Sequence, residues 1–200
     1  MNREFLILVI AYLLGAIPFG FILVKATTGS DIRKAGSGNI GATNVFRKSR
    51  TIGVLTLLLD AGKGSLAVML GGWLSGGDLV WQSAAAVAAI AGHVFTVFLG
   101  FKGGKGVATG FGAFLTLTPA PVLTTMIVFF LTAGLMRYVS LASILATAAY
   151  PLWVYLYGEP QVAFWAALAG SSLIVAKHHQ NIRRLLKGKE HKFALGDRSG

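Results

Sequence analysis

Lys105–Met136 reads KGVATGFGAFLTLTPAPVLTTMIVFFLTAGLM, and the number of times it crosses a bilayer decides the fold. From Val107 onward it carries no charge. One span needs roughly 20 apolar residues, so this run is long for a single helix. Pro119 and Pro121 interrupt it near the middle, where each removes a backbone donor and breaks the helical ladder. The reading is therefore two short spans, 105–118 and 120–136. Working outward, apolar runs at 5–24, 52–74 and 80–100 precede it, and 138–157 and 162–177 follow, separated by Gly158-Glu-Pro160. Phe5–Val24 is too long for a secretory leader and lacks a small-residue cleavage site.

Charge placement tests the count. Lys and Arg concentrate in short cytoplasmic loops. With seven spans, the loops 25–51 and 101–106 and the tail from 177 share one face. They carry Lys25, Arg33, Lys34, Arg47, Lys48, Arg50, Lys102, Lys105, Lys177, Arg183, Arg184, Lys187, Lys189, Lys192 and Arg198. The opposite loops hold Asp78 and Glu159 and no base, and Arg3 at the N-terminus is the one exception on that face. A single span over 105–136 would send the tail to the other face and destroy this asymmetry; a re-entrant hairpin would keep it. The expected architecture is an all-α integral membrane protein, a polytopic bundle of seven transmembrane helices in one domain over residues 1–200. Its N-terminus is expected outside and its C-terminus in the cytoplasm. The tail reads as helical to about Leu186 and as a disordered end at 196–200.

Composition agrees. Hydrophobic residues make up 54% of the chain and charged residues 12%, and the mean hydropathy is +0.69. A soluble domain carries about 25% charge, so too little polar surface exists to cover a globular core. Cysteine is absent, which excludes disulfides and thiolate chemistry. The net charge of +11 fits anionic lipid or anionic substrate; nucleic acid is not expected as a partner of a polytopic membrane protein.

Three polar clusters lie on the basic face. Gly36-Ser-Gly-Asn-Ile-Gly41 matches the glycine fingerprint of dinucleotide folds, but no strand precedes it, and the apolar run continues past Asp60 instead of turning. The glycines keep their physics: they let backbone amides approach an anion, and a helix from Ala42 would add its positive end. Ser37, Gly38, Asn39, Gly41, Thr43, Asn44 and Arg47 are the candidate ligands there, with Thr43 and Arg47 on one helical face. In Phe101-Lys-Gly-Gly-Lys-Gly106, the candidates are Lys102, Gly103, Gly104, Lys105 and Gly106. It is not a P-loop, because Gly106 stands where Ser or Thr is required. Lys177-His-His-Gln-Asn-Ile-Arg-Arg184 places His178 and Asn181 at i,i+3; histidine there is a base, a phosphate donor or a metal ligand. No HExxH motif, cysteine or nearby carboxylate supports metal, so no metal and no cofactor is expected. Asp60 and Lys63, one turn apart inside a span, form either a functional pair or a structural ion pair. His93 reads as a packing histidine. Gly106/Gly110 and Gly72/Gly76 have the spacing of helix contacts.

Ser37-Gly-Asn-Ile-Gly-Ala-Thr-Asn-Val-Phe-Arg47, Gly92-His93 with Phe101-Lys-Gly-Gly-Lys-Gly-Val-Ala-Thr109, and His178-His-Gln-Asn-Ile-Arg183 resemble the three signatures of the bacterial acyl-phosphate:glycerol-3-phosphate acyltransferases, the PlsY family. Tyr12–Gly20 and Leu59–Gly64 fit as well; Ala16 departs from the serine expected there. The resemblance implies transfer of a fatty acyl group from acyl phosphate to the 1-hydroxyl of glycerol 3-phosphate, giving lysophosphatidic acid and phosphate. It also implies a multi-pass protein of the bacterial inner membrane with its site facing the cytoplasm. The implied site joins Ser37, Arg47, Lys105, His178 and Asn181, with Ser37 and Arg47 on glycerol 3-phosphate and Thr43 on the acyl phosphate. His178 and Asn181 would orient a phosphate or stabilise charge on the carbonyl oxygen, and Ser143, more than Ser140, would add a donor. A transporter or flippase for phosphorylated solutes is the alternative, and it would want polar features on both faces. A non-catalytic membrane anchor leaves the glycines unexplained.

Overall fold

The computed structural model describes residues 2–192, and all regular structure within them is helical. Arg198 and the 196–200 end lie outside the described residues. The helices are α1 (Arg3–Ala16), α2 (Phe19–Thr28), α3 (Ala42–Lys48), α4 (Arg50–Ser75), α5 (Leu79–Val94), α6 (Val107–Leu117), α7 (Pro119–Met136), α8 (Val139–Leu156), α9 (Gln161–Lys177) and α10 (His179–Leu186). Five stretches are long and apolar enough to cross a membrane: Arg3–Thr28, Arg50–Ser75, Leu79–Leu99, Pro119–Met136 and Val139–Leu156. α6 and α9 are shorter apolar helices.

The first span is not the continuous helix expected. Pro18 splits it into α1 and α2, since a proline ring cannot continue the ladder. The break takes the helical partners from two carbonyls, and an unpaired carbonyl is costly in an apolar medium; the Phe19 amide reaches that of Ile17 at 3.1 Å. Thr96 Oγ1 donates to the Ala16 carbonyl at 2.5 Å, and Lys63 Nζ donates to that of Ile17 at 2.7 Å. The third span also ends earlier, at Val94, and continues as a single 3₁₀ turn, Val97–Leu99.

The decisive stretch folds as a helical hairpin. α6 has 11 residues, about 16 Å of helix, roughly half of a hydrocarbon core. Its corner at Thr118 is buried, and the Thr118 and Tyr150 hydroxyls share a 2.5 Å hydrogen bond. Lys105 and Gly106 lie ahead of the helix rather than inside it; Gly106 caps it at φ 87.

Glycine sets the closest helix contacts. A Cβ on Gly64 would overlap the Thr109 carbonyl oxygen, and one on Gly112 that of Ala61, so α4 and α6 meet backbone to backbone. Gly15 against Ala89 and Gly92 against Tyr12 do the same for α1 and α5. Gly110 packs on Ile174 and Ile90 as a helix contact, whereas Gly76 is the left-handed cap that ends α4 and touches nothing. The tail helix expected to about Leu186 is α10, which starts at His179 just after α9 stops at Lys177.

Candidate functional site

Ser37, Asn39, Gly41, Thr43, Asn44 and Arg47, then Lys105 and Gly106, then His178 and Asn181 line one cavity of about 440 Å³. Three segments far apart in sequence thus meet at one end of the bundle. Gly38, Lys102, Gly103 and Gly104, expected among the ligands, are not in its lining.

The first segment is organised by Asn44, which is buried. Its Oδ1 accepts the Ser37 amide at 3.0 Å, and its Nδ2 donates to the carbonyls of Ala35 at 3.0 Å and Asn39 at 2.8 Å. Asn44 therefore shapes the loop instead of presenting its amide to a ligand. Asn39 Oδ1 is similarly occupied by the Gly41 amide at 2.8 Å, and the Gly38 amide is bonded to Ala35. Thr43 and Arg47, one turn apart on α3, both face the cavity.

The second segment departs from the expected cradle of amides. Gly103 and Gly104 donate their N–H groups to the carbonyls of Val94 and His93 at 3.2 and 3.0 Å. They are glycines because a Cβ on either would collide with the end of α5. Lys102 is exposed beside them. This packing presses the loop onto His93, whose Nδ1 lies 3.0 Å from Lys63 Nζ. Lys63 in turn donates to Asp60 Oδ1 at 2.6 Å. His93 is therefore not plain packing: with Asp60 and Lys63 it forms a buried polar network under the loop that carries Lys105. Burial lowers the Lys105 pKa to about 8; Glu190 opposes this, while Arg184 and Arg47 add to it.

At the third segment, His178 is 2% exposed and Asn181 3%. His178 Nδ1 lies 2.7 Å from the Ile174 carbonyl oxygen, which can only accept, so Nδ1 carries the proton. Burial pushes the imidazole down to about 4, against the Ile174 bond and with the help of Lys105. With Nδ1 bonded to Ile174, Nε2 is the ring nitrogen left for a ligand.

Sequence reading missed Glu190. A turn at Gly188 (φ 62) brings the tail back. The carboxylate accepts from Ser140 Oγ at 2.9 Å, Asn181 Nδ2 at 2.8 Å and Arg184 Nε at 2.7 Å. Burial pushes its pKa up, but those three bonds outweigh it and hold the group below its ordinary value. A carboxylate thus does lie beside the histidine motif, nine residues after Asn181, a spacing no helical periodicity flags. Ser140 is spent on Glu190, and Ser143, in the cavity wall, donates to its own Val139 carbonyl at 2.9 Å.

Below this polar mouth the cavity is apolar, walled by Phe111, Phe114, Val122, Met126 and Tyr150 from α6, α7 and α8. One side is formed by Leu57 and Leu58 of α4 and Phe129 and Phe130 of α7. Leu58 is 62% and Phe130 61% exposed, so that side opens on the outer, apolar surface of the bundle. The site therefore pairs a cationic, hydrogen-bonding mouth with an arm suited to an alkyl chain.

Known proteins resemble this chain over nearly its whole length. The family profile described as glycerol-3-phosphate acyltransferase matches residues 5–188. The glycerol-3-phosphate acyltransferase of Syntrophotalea carbinolica is 49% identical over 195 residues, 96% of this chain and 99% of that one. That of Geotalea daltonii is 46% identical over 194 residues, with the same coverage. Among solved structures, PlsY, an integral membrane glycerol 3-phosphate acyltransferase, superposes in its glycerol 3-phosphate form with a TM-score of 0.91 at 39% identity, covering 96% of both chains. Its lysophosphatidic acid form gives 0.89 at 38%. With the family profile covering residues 5–188, sequence identity near one half over almost the full length, and the fold superposing at a TM-score of 0.91, the chain belongs to the glycerol-3-phosphate acyltransferase family.

Proposed function

We propose that the chain transfers a fatty acyl group from acyl phosphate to the 1-hydroxyl of glycerol 3-phosphate, releasing lysophosphatidic acid and inorganic phosphate. The observation that carries the reading is the single cavity in which Arg47, Lys105 and the His178–Asn181 segment meet an apolar arm open to the side of the bundle. A water-soluble phosphate and a lipid-borne acyl group need such a junction.

In this reading Ser37, Arg47 and Lys105 hold the phosphate of glycerol 3-phosphate, and Thr43 lies with the acyl phosphate. His178 and Asn181 face the glycerol. The hydroxyl oxygen attacks the acyl carbon, the bond from that carbon to the phosphate oxygen breaks, and the hydroxyl proton ends on the released phosphate. An acyl phosphate is an activated anhydride, so positioning and charge neutralisation supply most of the acceleration, and no metal or cofactor is called upon. We further propose seven crossings, the N-terminus outside, and the mouth of the cavity on the cytoplasmic face of the bacterial inner membrane. The distribution of bases supports this orientation.

Purified protein should release phosphate from palmitoyl phosphate when glycerol 3-phosphate is added and form lysophosphatidic acid in equal amount. Release that is unaffected by glycerol 3-phosphate, with no acylated product, would refute the activity.

A further inference from the structure

The buried network under the Lys105 loop ends on an atom that it does not satisfy. Lys63 Nζ has three acceptors: Asp60 Oδ1 at 2.6 Å, the Ile17 carbonyl at 2.7 Å and His93 Nδ1 at 3.0 Å. An ammonium has three protons and no lone pair, so each acceptor takes one proton and Nδ1 carries none. The neutral ring then holds its proton on Nε2, because the partner of one nitrogen fixes the tautomer at the other. Asp60 balances the charge of Lys63, so the ring needs no charge of its own. Among the described residues nothing accepts from Nε2–H. The side-chain atoms that are both sealed and unpaired lie on Ser83, Thr109, Trp153, Ser171 and Asn181. Nε2 is not one of them and opens onto the cavity that His93 lines.

We infer that His93 is a further catalytic residue whose Nε2–H donates to an oxygen of the acyl phosphate, with Asp60 and Lys63 as positioning residues that hold the proton on that nitrogen. This rests on the activity proposed above. The assignment follows from where the ring stands. α4 lines the cavity with Leu57 and Leu58 beside the apolar arm and, one turn on, with Asp60, whose Oδ1 lies 3.6 Å from His93 Nδ1. On its other side the ring meets the Lys105 loop, where a Cβ on Gly104 would collide with Nε2. His93 thus sits between the arm and the cationic mouth. A donor whose alkyl chain fills the arm places its head there, and an acyl phosphate head brings only acceptors, the carbonyl oxygen and the phosphate oxygens. A donor fixed in advance and aimed at an oxygen that gains charge lowers the barrier without reorganising.

The test uses full-length protein with palmitoyl phosphate and glycerol 3-phosphate. His93→Leu removes both ring nitrogens. His93→Gln also removes the acceptor for Lys63 but keeps an amide donor near the place of Nε2. A role confined to supporting Lys63 predicts equal losses in the two. Donation to substrate predicts that His93→Leu lowers kcat/KM for palmitoyl phosphate by about 10- to 100-fold, the effect of one hydrogen bond to a charged group. His93→Gln should recover most of that loss, and KM for glycerol 3-phosphate should stay within about twofold in both. A loss confined to kcat assigns the contact to the carbonyl oxygen, and a matching rise in KM for palmitoyl phosphate assigns it to the phosphate. Asp60→Leu combined with Lys63→Met, which removes the charges together, should fold and still lower kcat, because nothing then fixes the proton.

The tautomer is read separately, in wild-type protein carrying isotope-labelled histidine, with the His93 signal identified by its loss in His93→Gln. Its nitrogen resonances should show the proton on Nε2; a proton on Nδ1 would overturn the inference whatever the kinetics. Equal losses in folded His93→Leu and His93→Gln would overturn it as well, as would a loss that falls on KM for glycerol 3-phosphate. Full kcat in the folded double variant would remove Asp60 and Lys63 from the positioning role. Wild-type protein that fails to acylate glycerol 3-phosphate would refute the proposed activity instead, and the resonance measurement keeps the two failures apart.

Discussion

Lys105 is where a pH experiment bears most directly on the site. Its pKa is lowered from 10.5 to about 8, chiefly by burial. Keeping it charged therefore costs the empty fold about 3 kcal/mol near neutral pH. The folded value lies below the unfolded one, so this cost is present in full below about pH 8 and fades as the pH rises toward 10.5. A phosphate beside the ammonium offsets it, which couples binding to the proton. The charge-assisted contact contributes about 1.5–3 kcal/mol, or about 10- to 100-fold. For wild type, kcat/KM for glycerol 3-phosphate should be level below about pH 8 and then fall by up to that factor. Lys105→Arg, which stays charged throughout, should show no such fall relative to its own neutral value. Lys105→Ala should collapse kcat/KM at pH 7 without impairing membrane insertion. Lys189→Ala and Lys192→Ala, with the same charge on the same tail-bearing face, should leave it near wild type. The assay is phosphate release over about pH 6 to 9.5. An unchanged alkaline fall in Lys105→Arg, or equal losses in all three alanine variants, would mean that surface potential and not a seated phosphate explains the bases.

Lys63→Met should leave Asp60 charged and buried, at a cost of about 3–5 kcal/mol; Asp60→Leu combined with it should recover most of that in thermal unfolding. A double variant as unstable as the single one would contradict the ion-pair account. His178→Ala should lower kcat strongly while the alkaline limb persists, because the imidazole titrates near 4; a vanished limb would assign that limb to His178. A reporter fused after Gly200 should be cytoplasmic and one inserted near Asp78 external, and finding both on one side would sink the proposed topology.

Much of this was legible in the sequence because membranes simplify the code. Runs of apolar residues delimit most of the long helices to within a few residues, although the first run breaks at Pro18 and the third helix ends at Val94. The prolines at 119 and 121 correctly divide Lys105–Met136. The cluster around Ser37–Arg47, Lys105 and His178–Asn181 was also visible, since polar residues beside glycine are conspicuous in an apolar chain. What escaped was relational. Gly103 and Gly104 look like a phosphate cradle, yet they are small because α5 approaches them. His93 looks like packing until Lys63, thirty residues earlier, comes to lie 3.0 Å away. Glu190 carries no motif, and only the turn at Gly188 makes it a neighbour of Asn181. The proline at 18 was in plain view, but the hydroxyl and ammonium that repair its break come from Thr96, just past α5, and from Lys63 of α4.

The gap between Leu57–Leu58 and Phe129–Phe130 carries a consequence for kinetics. On the proposed activity, an acyl donor entering there would never leave the bilayer. Supply is then two-dimensional diffusion among neighbouring lipids. The quantity that saturates the protein becomes the surface mole fraction of donor and not its molarity in the tube. Adding inert lipid or detergent at constant total donor should slow turnover by dilution alone, while the dependence on the water-borne substrate stays the same.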